Sequence, residues 1–323
     1  MNRRLGRYIG TKDFYKMVVA LIVPIIIQQG VTSFVNLLDN VMVGALGTEQ
    51  MSGVAITNQL IFVYNLTIFG GLSGAGIFGA QFYGQSDYDG MRHTMRFKLL
   101  FTVVMTAVAL IVISLKGDVL VRLFLDNKAN EGKDIGVTLG YSADYVKVIL
   151  WGLPAFALVQ CYASTLRETG ETVVPMIASV SAIVVNLVGN YLLIFGHFGF
   201  PEMGVAGAAL ATVISRYVEL AVVTVYTHRH TQRFPFVKGL YKSIRIPAAL
   251  VKRIAVTGTP LLVNELLWSV GTTFVNQNYS TRGLNVVAAM NIQSTAWQLF
   301  SVIMMAMGNA VSILVGQKLG AGK

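Results

Sequence analysis

The sequence has few charged residues and only one cysteine. Asp, Glu, Lys and Arg make up 12% of its 323 residues, about half the share found in an average soluble domain. Hydrophobic residues make up 54%, so the chain cannot cover itself with a water-facing surface, and a soluble globular protein is excluded. The single cysteine, Cys161, excludes an internal disulfide. We therefore expect an integral protein of the lipid bilayer.

Long apolar runs recur along the whole chain. A helix needs about 20 apolar residues to cross the hydrocarbon core of a bilayer. The first run is longer than the apolar region of a signal peptide and lacks an A-x-A cleavage site, so we expect it to be retained. We predict an all-α polytopic membrane protein with about eight transmembrane helices, at residues 16–45, 52–84, 92–115, 139–168, 172–197, 203–228, 250–281 and 286–319.

Lys and Arg cluster in alternate connections between these runs. The N-terminal tail and the segments 92–98 and 229–253 are basic, whereas 45–51 and 198–203 contain no Lys or Arg. By the positive-inside rule the N-terminus is cytoplasmic, in a multi-pass protein of the cell (inner) membrane. The net charge of +10 therefore belongs to cytoplasmic loops, and we expect no nucleic-acid partner. Residues 118–126, on the opposite side, have the pattern of a short amphipathic surface helix.

The beginning and the end of the chain resemble each other. Residues 16–87 align with residues 252–323 at one constant offset of 236, without gaps, and the offset spans six predicted helices. Parallel repeats of six helices are a transporter architecture. The aligned identical residues include Pro24 with Pro260, Asn40 with Asn276, Gln81 with Gln317 and Gly84 with Gly320.

This repeat predicts a division into two lobes. We expect a complete six-helix N-lobe at residues 1–230, a basic cytoplasmic linker at 231–249, and the first two helices of a C-lobe at 250–323. The second half stops after its second helix, so we expect a C-terminally truncated chain. The alternative is a complete protein of eight helices.

Polar side chains interrupt three of the apolar helices at helical spacing. An Asp at the centre of a transmembrane helix costs about 2.5–3.5 kcal/mol on insertion scales, and this cost falls when the carboxylate takes up a proton or a cation. We therefore predict sites for H⁺ or Na⁺ at Asp39 and at Glu265; the alternative for Asp39 is a helix-end carboxylate in interfacial water. The polar positions are Gln28, Thr32, Asn36, Asp39 and Asn40 in the first helix, Ser179, Asn186 and Asn190 in the fifth, and Glu265, Trp268, Thr272 and Asn276 in the seventh.

Other motifs favour structural roles. Arg216 and Glu219 are three residues apart and are at least as consistent with a structural salt bridge as with a site. The glycines of residues 70–79 fail the spacing of a phosphate-binding loop and are better explained by close helix packing. We find no nucleophile or zinc motif, so we expect no enzyme, no cofactor, and no metal beyond a possible Na⁺ at Asp39 or Glu265.

Five motifs, in order, resemble those of the MATE (multidrug and toxic compound extrusion) transporters. They are DNVMVGALGTEQMSGVA, GLSGAGIFGAQFYGQSD, LRETGETVVPM, NLVGNYLLIFGHFGFPEMGVAGAALAT and LVGQKLGAG. The resemblance implies a twelve-helix antiporter with two lobes around a central cavity. It assigns Asp39, Asn186 and Asn190 to the N-lobe ion site and Glu265 to a C-lobe site. Many members have Asp where this chain has Asn190.

The function implied by this resemblance is multidrug efflux by cation-coupled antiport, with alternating access and H⁺ or Na⁺ as the coupling ion. The partners are small amphipathic or cationic compounds, and we expect a monomer. An alternative is a lipid-linked oligosaccharide flippase of the same superfamily, which predicts a more cationic cavity. Candidates for lining the substrate cavity are Gln28, Thr32, Asn36, Asn40, Tyr64, Trp268, Thr272 and Asn276.

Overall fold

The computed structural model describes residues 11–125, 135–280 and 284–322. The regular structure within these ranges is entirely helical, which confirms the predicted all-α class. Short 3-10 helices at His197–Gly199, Pro235–Val237 and Leu240–Lys242 occur in two of the connections. The α-helices are α1 (Lys12–Gly44), α2 (Thr48–Gly84), α3 (Tyr88–Leu125), α4 (Ile135–Ile149), α5 (Gly152–Glu168), α6 (Val173–Phe195), α7 (Gly204–Arg229), α8 (Ala248–Ser280) and α9 (Leu284–Gly320).

Among the described residues, six helices are long and apolar enough to cross a membrane, and α4 with α5 would add a seventh. The chain is therefore a polytopic membrane protein. Helix α8, predicted as a span, is present as a helix of 33 residues but is not one of these six. Large apolar side chains such as Leu115 and Val103 are exposed on the bundle, as a lipid-facing surface requires.

The fourth predicted span is two helices rather than one. Helices α4 and α5 are bent by 51° relative to each other, so the prediction of one continuous helix at 139–168 is wrong. Pro154 lies in the first turn of α5 and has no N–H to donate, which removes the bond to the Leu150 carbonyl that a continuous helix would need. Leu153 donates to that carbonyl instead, at 3.2 Å.

The predicted surface helix at 118–126 also differs from the structure. Residues 118–125 continue α3 without a break, and Asp126 lies outside the described residues. This stretch therefore continues the third helix beyond its apolar span, which ends at Gly117, instead of forming a separate element.

The repeat found in the sequence recurs in the helix boundaries. Helix α8 begins 236 residues after α1 (248 against 12). Helix α9 ends 236 residues after α2 (320 against 84). Pro24 and Pro260 occupy the same position within α1 and α8. The start of α8, the end of α9 and the proline position thus all recur at the one offset found in the sequence.

Helices α6 and α7 pack extensively on each other, α1 packs on α6, and α2 contacts α3, α4, α5, α8 and α9. We use the term basic side for the end of the bundle that holds the start of α1, the ends of α2, α5, α7 and α9, and the connection 230–247. This connection is well packed. Phe234, Phe236 and Leu240 are buried, and the Arg96 side chain donates to the Leu240 carbonyl at 2.9 Å.

The two repeated helix pairs meet on the basic side through a reciprocal contact. A Cβ on Gly84 would collide with the Gln317 carbonyl, and a Cβ on Gly320 would collide with the Gln81 carbonyl. Because these four residues are counterparts in the repeat, the contact is symmetric. The Gln317 side chain also donates to the Glu168 carbonyl at 2.7 Å, which links α9 to α5.

Candidate functional site

Helices α1, α6 and α7 bring together a small polar cluster inside the bundle. Asn190 Nδ2 donates to Asp39 Oδ1 at 2.6 Å. Asn190 is 1% exposed and Asn186, one helical turn away, is also buried. The i, i+4 spacing of the two amides on α6 puts both side chains on the face that contacts α1. The three residues that the sequence assigned to the N-lobe ion site are therefore neighbours in space.

The Asn186 amide completes the contacts of the Asp39 carboxylate. With its nitrogen facing Asp39 it donates to Oδ1 at 2.9 Å and to Oδ2 at 3.2 Å, and its oxygen accepts from Thr212 Oγ1 at 3.2 Å. This orientation matches donors with acceptors at both ends of the amide, so we adopt it. Thr212, on α7, was not among the predicted site residues and joins the cluster through Asn186.

Within the part of the chain that the structure describes, one buried oxygen in this cluster has no hydrogen-bond partner. It is Asn190 Oδ1, on the same amide whose nitrogen donates to Asp39. An Asp carboxylate, an amide oxygen and a Thr hydroxyl are the oxygen ligands that hard cations prefer. Within the described ranges, no three His, Cys, Asp or Glu side chains come together as a metal site. A cation at Asp39 would therefore depend on neutral oxygens for its remaining ligands.

Two other predicted residues of α1 have different contacts. Gln28 Nε2 donates to Ser179 Oγ at 2.7 Å, and Gln28 Oε1 accepts from Arg167 at 3.2 Å. Thr32 Oγ1 donates to the carbonyl of Gln28 on its own helix at 2.7 Å. The face of α1 that holds Asp39 therefore continues towards the basic side as a polar contact with α5 and α6.

Asn40 is exposed. The side chains of Asn36 and Asn276 lie outside the part of the chain that the structure describes. For these three positions the substrate-lining role stays a prediction.

Tyr64, predicted to line the cavity, lies in a packed core instead. It is buried among α2, α3 and α5. Its hydroxyl is 2.7 Å from Thr106 Oγ1 and donates to the Leu153 carbonyl at 3.1 Å. With both hydrogen-bonding roles used inside the bundle, Tyr64 is a structural residue, and we do not retain it as a substrate contact.

The predicted residues of α8 lie in another region. Helix α8 packs on α2 and α9, whereas the Asp39 cluster lies between α1, α6 and α7. Glu265 is partly exposed, Trp268 is 57% exposed, and Thr272 donates to the Trp268 carbonyl at 2.8 Å. Asp39 and Glu265 therefore remain two separate candidate ion sites.

A buried ion pair on the basic side was missed in the sequence. Lys98, which the sequence analysis placed in a basic connection, is 0% exposed within α3 and pairs with Glu168 of α5. Its ammonium also donates to Ser164 and Thr165, each at 3.2 Å. No local spacing connects residues 98 and 168, so this pair could only be found from the packing of α3 on α5.

A second ion pair lies next to the Asp39 cluster. Arg216 donates to Glu219 Oε2 at 2.9 Å, and Ser179 Oγ donates to Glu219 Oε1 at 2.6 Å. Through Ser179 this pair is connected to Gln28. The predicted salt bridge between Arg216 and Glu219 is present, and it is part of a polar layer between α1, α6 and α7.

The sequence of the chain matches a known family model and several known proteins. The MatE family model matches residues 24–192 and 260–323, which together are more than half of the chain. The chain is 27% identical over 312 residues to "Probable multidrug resistance protein NorM" of Thermotoga maritima, covering 96% of this chain and 64% of that protein. It is 26% identical over 303 residues to "Probable multidrug resistance protein YoeA" of Bacillus subtilis, covering 94% and 64%.

Solved structures agree with the fold. The structure titled "Crystal structure of MATE in the bent conformation" matches with a TM-score of 0.82 at 22% identity, over 95% of this chain and 66% of that one. The chain thus spans a little under two thirds of the length of the curated relatives named above.

Proposed function

Because the chain belongs to the MatE family, we propose that it exports small amphipathic or cationic compounds across the cell membrane by antiport against H⁺ or Na⁺. The observation that carries the proposal is the environment of Asp39, whose hydrogen bonds come from neutral amides. A buried carboxylate whose hydrogen bonds come from neutral amides is stabilised inside a membrane bundle when a cation or a proton joins it. The unpartnered Asn190 oxygen supplies a second ligand.

The coupling follows from the effect of the ion on Asp39. With the site empty, Asp39 is negative and attracts a cationic compound or a cation. With the site filled, the charge is cancelled and that attraction is lost. A ligand shifts a conformational equilibrium only through its different affinity for the two states, so exchange of ion and compound at this carboxylate would link the two fluxes.

Alternating access is supported by where the two repeated helix pairs touch. Gly74 of α2 and Gly258 of α8 approach so closely that a Cβ on Gly74 would lie 2.5 Å from Gly258 Cα. Gly84 and Gly320 make the reciprocal contact described above. These contacts lie in the half of the bundle nearer the basic side. If that side is cytoplasmic, as we propose from its Lys and Arg, the structure is closed to the cytoplasm.

The test is dye export by the chain in proteoliposomes, with an imposed H⁺ or Na⁺ gradient and a cationic dye. We expect gradient-dependent export that is lost in Asp39→Asn. Asp144→Asn is the matched control, since Asp144 pairs with Lys147 on the exposed surface of α4, and it should export normally. Undiminished, gradient-dependent export by Asp39→Asn would refute Asp39 as the coupling residue.

A further inference from the structure

Arg216 lies beside the polar cluster that holds the carboxylate we propose as the ion site. It is on α7, one helical turn from Thr212, which contacts Asn186 of the Asp39 cluster. The i, i+4 spacing of Thr212 and Arg216 puts both side chains on the same face of α7, and the guanidinium donates its hydrogen bond to Glu219. A permanent positive charge therefore lies close to a site that must bind another positive charge.

Two neighbours contact the Arg216 guanidinium. Glu219 accepts its hydrogen bond at 2.9 Å, and the guanidinium lies over the Phe156 ring at 5.4 Å from the ring centre. The Arg216 side chain is 34% exposed, whereas that of Glu219 is 5% exposed. Glu219 is thus the buried partner and accepts a 2.6 Å hydrogen bond from Ser179, while Arg216 is the more exposed partner.

We infer that Arg216 is a built-in competitor for the cation at Asp39, and that Glu219 sets the strength of this competition by holding Arg216 back. The inference rests on the proposed function of Asp39 and adds the residues that regulate its affinity. An antiporter must release its ion in every cycle, so a site that binds too tightly would stall. A tethered guanidinium weakens the site without occupying it permanently.

The two members of the pair have opposite predicted effects. Removing the Arg216 charge removes both the repulsion of an incoming cation and the internal competitor, so cation affinity should rise. Removing the Glu219 charge releases Arg216 towards Asp39, so cation affinity should fall. A purely structural salt bridge predicts that both substitutions act in the same direction, because both break the same bond.

The experiment measures Na⁺ binding to the purified chain in lipid nanodiscs by isothermal titration calorimetry, at constant ionic strength and pH. We expect Arg216→Gln to bind Na⁺ about tenfold more tightly and Glu219→Gln to bind it about tenfold more weakly, as for the gain or loss of one nearby charge. Arg216→Lys keeps the charge and should stay close to the wild type. Thermal unfolding of each variant confirms that it is folded.

Arg233→Gln is the matched control. Arg233 also pairs with a buried glutamate, Glu171, at 2.6 Å, but it lies in the connection after α7 and not next to Asp39. It should leave Na⁺ affinity unchanged.

If Arg216→Gln does not fold, the double variant Arg216→Gln/Glu219→Gln replaces it in the test. It removes both charges together and should bind more tightly than the wild type.

The inference is overturned if Arg216→Gln binds no more tightly than the wild type, or if Glu219→Gln binds more tightly. Absence of Na⁺ binding in the wild type and in Arg216→Gln alike also overturns it. Failure of the proposed function gives a different result, because Asp39→Asn would then bind Na⁺ as the wild type does.

Discussion

Asp39 and Glu168 are two carboxylates inside the same helix bundle, and their partners differ in kind. Glu168 contacts a fully buried ammonium, that of Lys98. Among the described side chains, Asp39 accepts hydrogen bonds from the amides of Asn190 and Asn186. Glu168 thus has its counter-charge built into the protein, whereas the described hydrogen bonds to Asp39 come from neutral groups. The first arrangement suits a permanent structural contact, and the second leaves room for an exchangeable ion.

Their positions fit these roles. Glu168 is next to the glycines of α2 and its backbone carbonyl accepts from Gln317 of α9, so it lies where the two repeated helix pairs meet. Asp39 lies on α1 with its partners on α6. The difference predicts that disturbing Glu168 affects stability above all, and that disturbing Asp39 affects ion dependence.

The largest expected effect on stability is that of Lys98→Met. It leaves the Glu168 carboxylate buried without its counter-charge, which costs about 3–5 kcal/mol. Unfolding in mixed micelles measures the loss. The double variant Lys98→Met/Glu168→Gln removes both charges and should recover most of it, while a Lys98→Met chain as stable as the wild type would mean that the pair is not structural.

Asn190→Ala should cause the second largest loss of stability. It removes the 2.6 Å hydrogen bond to Asp39, and bonds to charged groups contribute about 1.5–3 kcal/mol. Asn58→Ala is the control, since Asn58 is an exposed amide that only accepts a 3.4 Å contact from Tyr145. Equal losses in the two variants would contradict a special role for Asn190. The same unfolding assay provides the comparison.

Gly79→Ala tests whether disturbing the surroundings of Glu168 lowers stability without affecting ion binding. A Cβ at Gly79 would collide with the Glu168 carboxylate, and overpacking of this kind costs about 1–3 kcal/mol. Na⁺ binding should not change. Gly30→Ala in α1 is the control, because a Cβ there meets nothing within 4 Å, and it should be neutral or slightly stabilising. A destabilised Gly30→Ala variant would remove the steric explanation.

Asp39→Asn should have the smallest effect on unfolding, about 1 kcal/mol or less, because the Asn oxygen can still accept from Asn190. What changes is the response to ions, as the wild type should gain stability on Na⁺ addition and the variant should not. Thermal unfolding at several Na⁺ concentrations measures both. A strong loss of stability in the absence of Na⁺ would assign Asp39 a structural role like that of Glu168.

Within the described ranges, the sequence predicted the six helices that are long and apolar enough to cross a membrane, because apolar runs are local signals. The same locality explains the failures. The break between α4 and α5 lies inside a continuous apolar run, so hydropathy could not show it, although Pro154 gave a weak signal. Tyr64 looked like a cavity residue because its polar partners, Thr106 and the Leu153 carbonyl, are on other helices.

Part of the candidate site was also predictable from local sequence signals. Asp39, Asn186 and Asn190 stand out as polar residues in apolar helices, and their common position follows from helical spacing and the family resemblance. Thr212 could not be selected, since a Thr in a transmembrane helix is ordinary. Lys98 resembled a loop cation until the packing of α3 against α5 showed its partner.

The most direct test of the central claim is infrared difference spectroscopy of the chain in nanodiscs, comparing carboxyl bands before and after Na⁺ addition or a decrease in pH. We predict that one carboxyl band responds, that it is absent in Asp39→Asn, and that it is retained in Glu168→Gln. If the band persists in Asp39→Asn, or if it disappears in Glu168→Gln, Asp39 is not where the coupling ion binds.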